Sequence, residues 1–156
     1  MTEPTLRTSH LFTLSLTVDP NMTDVGDTPY GRRRIATVTG GTFEGEELKG
    51  TVLPSPGGDW LLMRRDGILQ LDVRITLKTA DDHLIYMSYR GMRHGPAWVI
   101  EQLNKGEKVD PNQYYMRTTP WFETGDARYA WLNRIVCVAT GARRAAAVEL
   151  DVYEVK

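Results

Sequence analysis

Charged and aromatic side chains recur at two-residue spacing in three places along the chain. Asp72 and Arg74 share one face of a long alternating segment, Arg117 and Glu123 share a parity with Tyr115 and Trp121, and Trp131 and Asn133 share another. Residues two apart on an extended strand emerge on the same side of a sheet. A solvent-facing strand is usually furnished with Lys, Glu and Thr. Arg, Asp, Asn, Tyr and Trp are the types that hold a polar ligand through directed hydrogen bonds and flat apolar contacts. A carboxylate among them could transfer a proton, and Asp72, Asp59 and Glu123 are the candidates. Arg74 or Arg117 could hold an anionic or carbonyl oxygen. Each set also has a plainer reading. The charged pairs could be exposed ion pairs worth under about 1 kcal/mol, and Trp131 could be core or a subunit contact.

Other chemistry is hard to build from this sequence. Gly40-Gly41 with Gly45 has the wrong spacing for a dinucleotide fingerprint or a P-loop. His10, His83 and His94 are scattered without HxH or HExxH spacing, so neither a metal site nor a cofactor is expected. His94, in Arg93-His94-Gly95-Pro96, is either a loop acid/base or an exposed loop residue. No Ser-centred nucleophile elbow occurs. Cys137 sits in the apolar run Ile135 to Ala139 and reads as a small core residue. A lone cysteine cannot form an intramolecular disulfide.

The elements that must position these groups are short and alternating. Phe12, Leu14, Leu16 and Val18 alternate with Thr13, Ser15 and Thr17, and Asp19-Pro20-Asn21 ends that strand. A polar loop is expected up to Pro29, then strands over Arg34 to Thr39, Leu48 to Leu53 and Asp59 to Met63. Asp66-Gly67 is a turn signal. The strand after it places Leu69, Leu71, Val73, Ile75 and Leu77 on one face and Gln70, Asp72, Arg74, Thr76 and Lys78 on the other. Leu84 to Arg90 follows the Asp81-Asp82 turn. One short helix is expected around Trp98 to Leu103, then strands over Tyr114 to Phe122, Ala130 to Ala139 and Ala146 to Tyr153. Eight or nine short strands with turn signals between them predict an all-β domain over 1–156: an antiparallel closed barrel of about eight strands, lipocalin-like in shape, with little helix.

Composition narrows the function classes. A chain of 156 residues with net charge -1 and a quarter of its residues charged has globular composition. No basic block supports phosphate neutralisation, so no nucleic-acid partner is expected. Arg32-Arg33-Arg34 reads as a solvated or ion-paired strand end. No run of about 18 apolar residues exists, and Met1 to Leu11 lacks the apolar core of a signal peptide. The expectation is a cytoplasmic protein without a membrane partner.

The two faces of the Leu69 to Leu77 strand conflict. If Asp72 and Arg74 point inward with Tyr86, Arg117, Glu123, Trp131 and Asn133, a barrel's single interior brings them into one pocket. Five large aliphatics would then lie outside, and such a stripe normally marks an interface. A symmetric dimer would cover it. If the aliphatics point inward, the polar set is surface. Parity across Pro120 is a further condition, because a bulge there would move Glu123 to the other face.

Gly40 to Gly45, Leu48 to Pro54, Gly57-Gly58-Asp59-Trp60, Asp66-Gly67, Leu71 to Arg74, and Tyr86 with Arg90-Gly91 carry a family pattern. Tyr114 to Thr118 with Pro120, Phe122-Glu123-Thr124 and Tyr129 to Asn133 continue it. From about Tyr30 to Val155 the chain resembles the domain-of-unknown-function 3237 family. The resemblance implies a small barrel of roughly lipocalin-like shape, often oligomeric, without an assigned activity. The motif residues able to bind are Asp59, Trp60, Asp72, Arg74, Tyr86, Arg117, Glu123, Trp131 and Asn133. Two functions follow as expectations. One is a barrel binding a small organic ligand, with Asp72 and Glu123 as acid/base groups of a cofactor-free isomerase, cyclase or lyase. The other is a non-catalytic binding or assembly module.

Overall fold

A computed structural model describes residues 4–156. Met1, Thr2 and Glu3, which open the polar N-terminal stretch, lie outside the described residues. The strands are β1 Thr8–Val18, β2 Thr23–Thr28, β3 Gly31–Glu44, β4 Lys49–Val52, β5 Gly58–Met63, β6 Leu69–Thr79, β7 Leu84–His94, β8 Tyr115–Glu123, β9 Cys137–Arg143 and β10 Val148–Val155. Helix α1 spans Ala97–Asn104, and short 3₁₀ segments cover Pro111–Gln113 and Ala127–Arg134. Every pairing is antiparallel. β1 pairs with both β10 and β3, which closes the sheet on itself. β1 and β2 lie in succession along β3, and β4 and β5 in succession between β3 and β6. Ten strands therefore form the eight staves of a closed antiparallel barrel, the expected fold.

Closure brings β1 against β3 at Gly41, which has φ +148°. A Cβ there would lie 2.2 Å from the Ser15 carbonyl oxygen, so only glycine permits the approach. The β6 stripe faces the lumen: Leu69, Leu71, Val73, Ile75 and Leu77 are buried, while Arg74 is exposed. Burying five such side chains is worth on the order of ten kcal/mol. An exposed Asp–Arg pair is worth under about 1 kcal/mol, so the aliphatic face takes the interior. The stripe needs no partner subunit, and the reason it supplied for expecting a dimer falls away.

Strand β8 alternates without a bulge. Met116, Thr118, Pro120 and Phe122 are buried, and Tyr115, Arg117, Thr119, Trp121 and Glu123 are exposed. Parity across Pro120 holds, but the shared face is the outer one. Two expected elements differ. The loop before Pro29 contains β2, and the strand expected over Ala130 to Ala139 begins only at Cys137. Residues Ala127–Arg134 form a 3₁₀ segment, its first turn capped by the Asp126 carboxylate accepting from the Arg128 amide at 2.8 Å. Tyr129 and Leu132 are its buried residues, a spacing of three rather than two. Trp131 and Asn133 are therefore not strand neighbours.

The two ends of the lumen differ. Phe12 packs edge-on against Phe43 and Phe122, with ring centroids 5.4 and 5.8 Å apart. Leu77, Ile85 and Leu132, all fully buried, belong to the same core. At the other end the staves stop short of filling the interior.

Candidate functional site

The unfilled end is a cavity of about 400 Å³. Its apolar wall includes Leu16, Val18, Ala36, Leu61, Leu69, Leu71 and Met116, and Leu103 and Asn104 of α1 line it as well. Into this wall the register sets two rows of polar groups. Asp59 of β5 opposes Val73 of β6, which opposes Tyr89 of β7. One turn of the alternation beyond Gly91, Arg93 opposes Leu69 on one side and Met116 on the other. Arg34, opposite Leu61, and Arg143, opposite Val148, complete the rim.

Asp59 is partly buried, and its carboxylate accepts a hydrogen bond from the Asp72 amide at 3.1 Å. Burial pushes its pKa up to about 6, with a small addition from the Asp72 charge, against the lowering effect of that hydrogen bond. Tyr89 is 2% exposed; burial and then the Asp59 charge push its hydroxyl well above the ordinary range, so it stays protonated. Arg93 is 6% exposed and its Nε has no hydrogen-bond partner among the described residues. Burial first, then the neighbouring Arg143 and Arg34 cations, hold its pKa below the usual guanidinium range. Among the described residues none of these three arginines is in an ion pair.

The expected lumen set lies elsewhere. Asp72 is on the outer side of the wall that carries Asp59, and with Trp60 and Arg117 it lines an open groove of about 770 Å³ that also includes Arg33, Arg90, Tyr115 and Tyr153. Arg74 adjoins that groove beside Arg33 and Trp60. Tyr86 and Glu123 face each other across β7 and β8, both exposed. Asn133 clamps a turn: its Oδ1 accepts from the Thr124 amide at 2.8 Å and its Nδ2 donates to the Thr124 carbonyl at 2.9 Å. Trp131 packs partly buried against the core. None of the seven residues expected inside lines the cavity; Asp59, expected only as a proton-transfer and binding candidate, does. His94 stacks on Tyr115, ring centroids 4.8 Å apart, and does not line it. The buried Cys137 thiol is pushed up to about 12, as an inert core group. Among the described residues no group of three or more His, Cys, Asp or Glu side chains is placed to hold a metal ion. No helix of the described residues is long and apolar enough to cross a membrane.

The outer groove is the larger hollow, but it is open and its charged groups are solvated. The inner cavity is smaller and holds Asp59, Tyr89 and Arg93, whose protonation burial perturbs, which makes it the better candidate site. No polar cluster along the chain marks Tyr89 and Arg93. They continue the lumen-facing series Ile85, Met87, Tyr89, Gly91, Arg93, and a strand ended at Arg90 leaves Arg93 out. The usable signal was a charged residue interrupting an apolar face, not a cluster on a polar one.

Fold and site together define a closed eight-stranded barrel with a half-filled lumen. The chain belongs to the DUF3237 family, described as "Protein of unknown function", whose model matches residues 6–155. A UPF0311 protein of Rhodopseudomonas palustris is 37% identical over 97% of this chain and 98% of its own length. Another, from Bradyrhizobium diazoefficiens, is 38% identical over 97% and 98%. Among solved structures, the Rhodopseudomonas palustris protein of unknown function superposes with TM-score 0.93 at 36% identity, covering 99% of this chain and 100% of the other. A beta-barrel-like protein of Acinetobacter baumannii superposes with TM-score 0.85 at 38% identity, covering 99% of both. An enzyme from Penicillium herquei shares the fold with TM-score 0.73 at 19% identity, covering 100% of this chain and 99% of that one.

Proposed function

We propose that this protein binds a small organic molecule in the open half of its lumen and moves a proton on it without a cofactor, as isomerases, cyclases and lyases do. The observation that carries the reading is the Asp59 carboxyl, brought by burial to about 6 on the wall of a cavity large enough for a small molecule. A carboxyl in that range gives up and regains a proton near neutral pH, which an ordinary surface carboxyl does poorly. Tyr89, held protonated beside it, can donate to an oxygen on which negative charge develops. The enzyme from Penicillium herquei supports the reading to the extent that this fold can house a reaction.

A thermal-shift screen of the purified protein against small metabolites tests it. A ligand at a hundred times its dissociation constant adds about 2.7 kcal/mol of stability. Ligands of the lumen lose their effect in Val148→Trp, which narrows the mouth, and keep it in Trp60→Ala on the outer groove. Turnover of such a ligand has a pH limb near 6 that Asp59→Asn abolishes. Hits that survive Val148→Trp and vanish in Trp60→Ala move the site outside the barrel and end the reading.

One observation favours a second reading, a non-catalytic assembly module. The outer groove exposes Trp60, Met92 and Tyr115 beside Asp72 and Arg117. Flat aromatics among charges of both signs suit a contact with a second copy of the chain. In that case light scattering finds a dimer that Trp60→Arg converts to a monomer.

A further inference from the structure

We propose that the ligand of the inner cavity is a carboxylic acid with an apolar body, its carboxylate held by Arg93 and flanked by Arg34 and Arg143. The proposal rests on the reading of the lumen as the ligand site and names the class of molecule that site takes.

Seven of the arginines have a protein partner for the guanidinium group. Arg33 donates to the Trp60 carbonyl at 2.8 Å, Arg117 to the Met116 carbonyl at 2.8 Å and Arg65 to the Thr28 carbonyl at 3.1 Å. Arg32, Arg64, Arg128 and Arg144 pair with carboxylates. These partners account for a structural role. Arg93 is more buried than any of them, yet has no protein partner among the described residues for its Nε and no ion pair. A buried charge without a partner is among the costliest features a fold can carry, and an Arg does not escape it by losing its proton. Arg93 lines the cavity, which leaves room for the missing partner beside it.

The surrounding charge sharpens the class. Arg34 and Arg143 line the same cavity, and both act on Arg93 as neighbouring cations. Asp59 is the carboxylate on that wall, and it forms an ion pair with none of the three. The mouth thus carries a net positive charge in an environment that strengthens electrostatic attraction. The planar fork of a guanidinium matches a carboxylate through two parallel hydrogen bonds. The remaining wall, from Leu16 through Leu61, Leu69 and Leu71 to Met116, is apolar and asks for a hydrocarbon body rather than a bare inorganic ion or a hydroxylated sugar. With the carboxylate on Arg93, the body extends toward Asp59, which can exchange a proton with it, and Tyr89, which can donate a hydrogen bond to it.

The test is a titration, followed by thermal shift and intrinsic tryptophan fluorescence. The probes are benzoate, phenylacetate, cinnamate and octanoate, their neutral amides, phenyl phosphate and inorganic phosphate. At least one carboxylate binds and its amide does not. Arg93→Gln weakens that carboxylate roughly ten- to a hundredfold, the range of a charge-assisted bidentate contact. Arg143→Gln, at the exposed rim, weakens it less, and Arg74→Gln on the outer surface leaves it unchanged. Arg143→Gln also keeps the test informative if Arg93→Gln does not fold. The proposal is overturned if amides bind as well as acids, if phenyl phosphate or inorganic phosphate is preferred to every carboxylate, or if no carboxylate binds. In the first case, ligands that Val148→Trp still blocks leave the lumen reading standing while the anion fails. Ligands indifferent to Val148→Trp end both.

Discussion

At one end of the barrel Phe12, Phe43 and Phe122 meet edge to edge, and Leu77, Ile85 and Leu132 join them. At the other end the same staves finish in Leu16, Arg34, Leu69, Arg93 and Met116 around a hollow. The strands do not change type along their length. What changes is whether the inward position carries a large apolar group or a polar one. The first end gains the packing that stabilises the fold. The second forgoes it and carries a buried cation and a desolvated carboxyl, both of which cost stability. A protein selected only to be a stable barrel would fill both ends alike.

The largest effect expected from this contrast is at the filled end. Phe43→Ala should destabilise by about 3–5 kcal/mol, the usual cost of removing a fully packed aromatic, whereas Leu69→Ala at the hollow end should cost roughly 2 kcal/mol or less because its neighbours already lack partners on one side. Urea midpoints of the two variants measure the difference, and equal losses would remove the distinction between the ends.

The next effect has the opposite sign. Asp59 has its pKa raised from 3.8 to about 6, so the folded state binds that proton more tightly than the unfolded chain. Its cost is absent below the unfolded value, grows as pH rises between the two values and is complete above the folded one. Asp59→Asn keeps an acceptor for the Asp72 amide and removes the charge. It should raise stability at pH 7 by about 3 kcal/mol, with no gain at pH 3. Denaturation curves at the two pH values decide this, and a variant no more stable than wild type at pH 7 would mean that the carboxyl is fully solvated.

A smaller loss is expected at Asn133. Its two hydrogen bonds to the Thr124 backbone join the end of β8 to the 3₁₀ segment, and Asn133→Ala should cost about 1–2 kcal/mol in the same urea assay. The smallest effects belong to the outer face. Arg74→Ala and Glu123→Ala should each change stability by less than about 0.5 kcal/mol. A larger change at either would place it in a contact between copies of the chain, which a concentration-dependent melting temperature would expose.

Much of this molecule was legible along the chain. The alternation of Leu69 to Leu77 with Gln70 to Lys78 determined a strand with one buried face, and the succession of such segments between Gly, Pro and Asp turns determined an antiparallel barrel. Equal parity correctly placed Asp72 with Arg74 and Arg117 with Glu123 on common faces. Parity, however, is a relation between neighbours and has no inside or outside. Only closure of β1 on β3 and β10 decided which face was enclosed, and the burial of five aliphatics outweighed a charged pair by about ten kcal/mol to less than one. For the same reason the site was hidden in the sequence. Asp59 comes from β5 and Tyr89 and Arg93 from β7, and each stands among apolar residues in its series, where one or two polar side chains make no pattern. Their meeting is a product of the register of β5, β6 and β7, which tertiary structure alone sets.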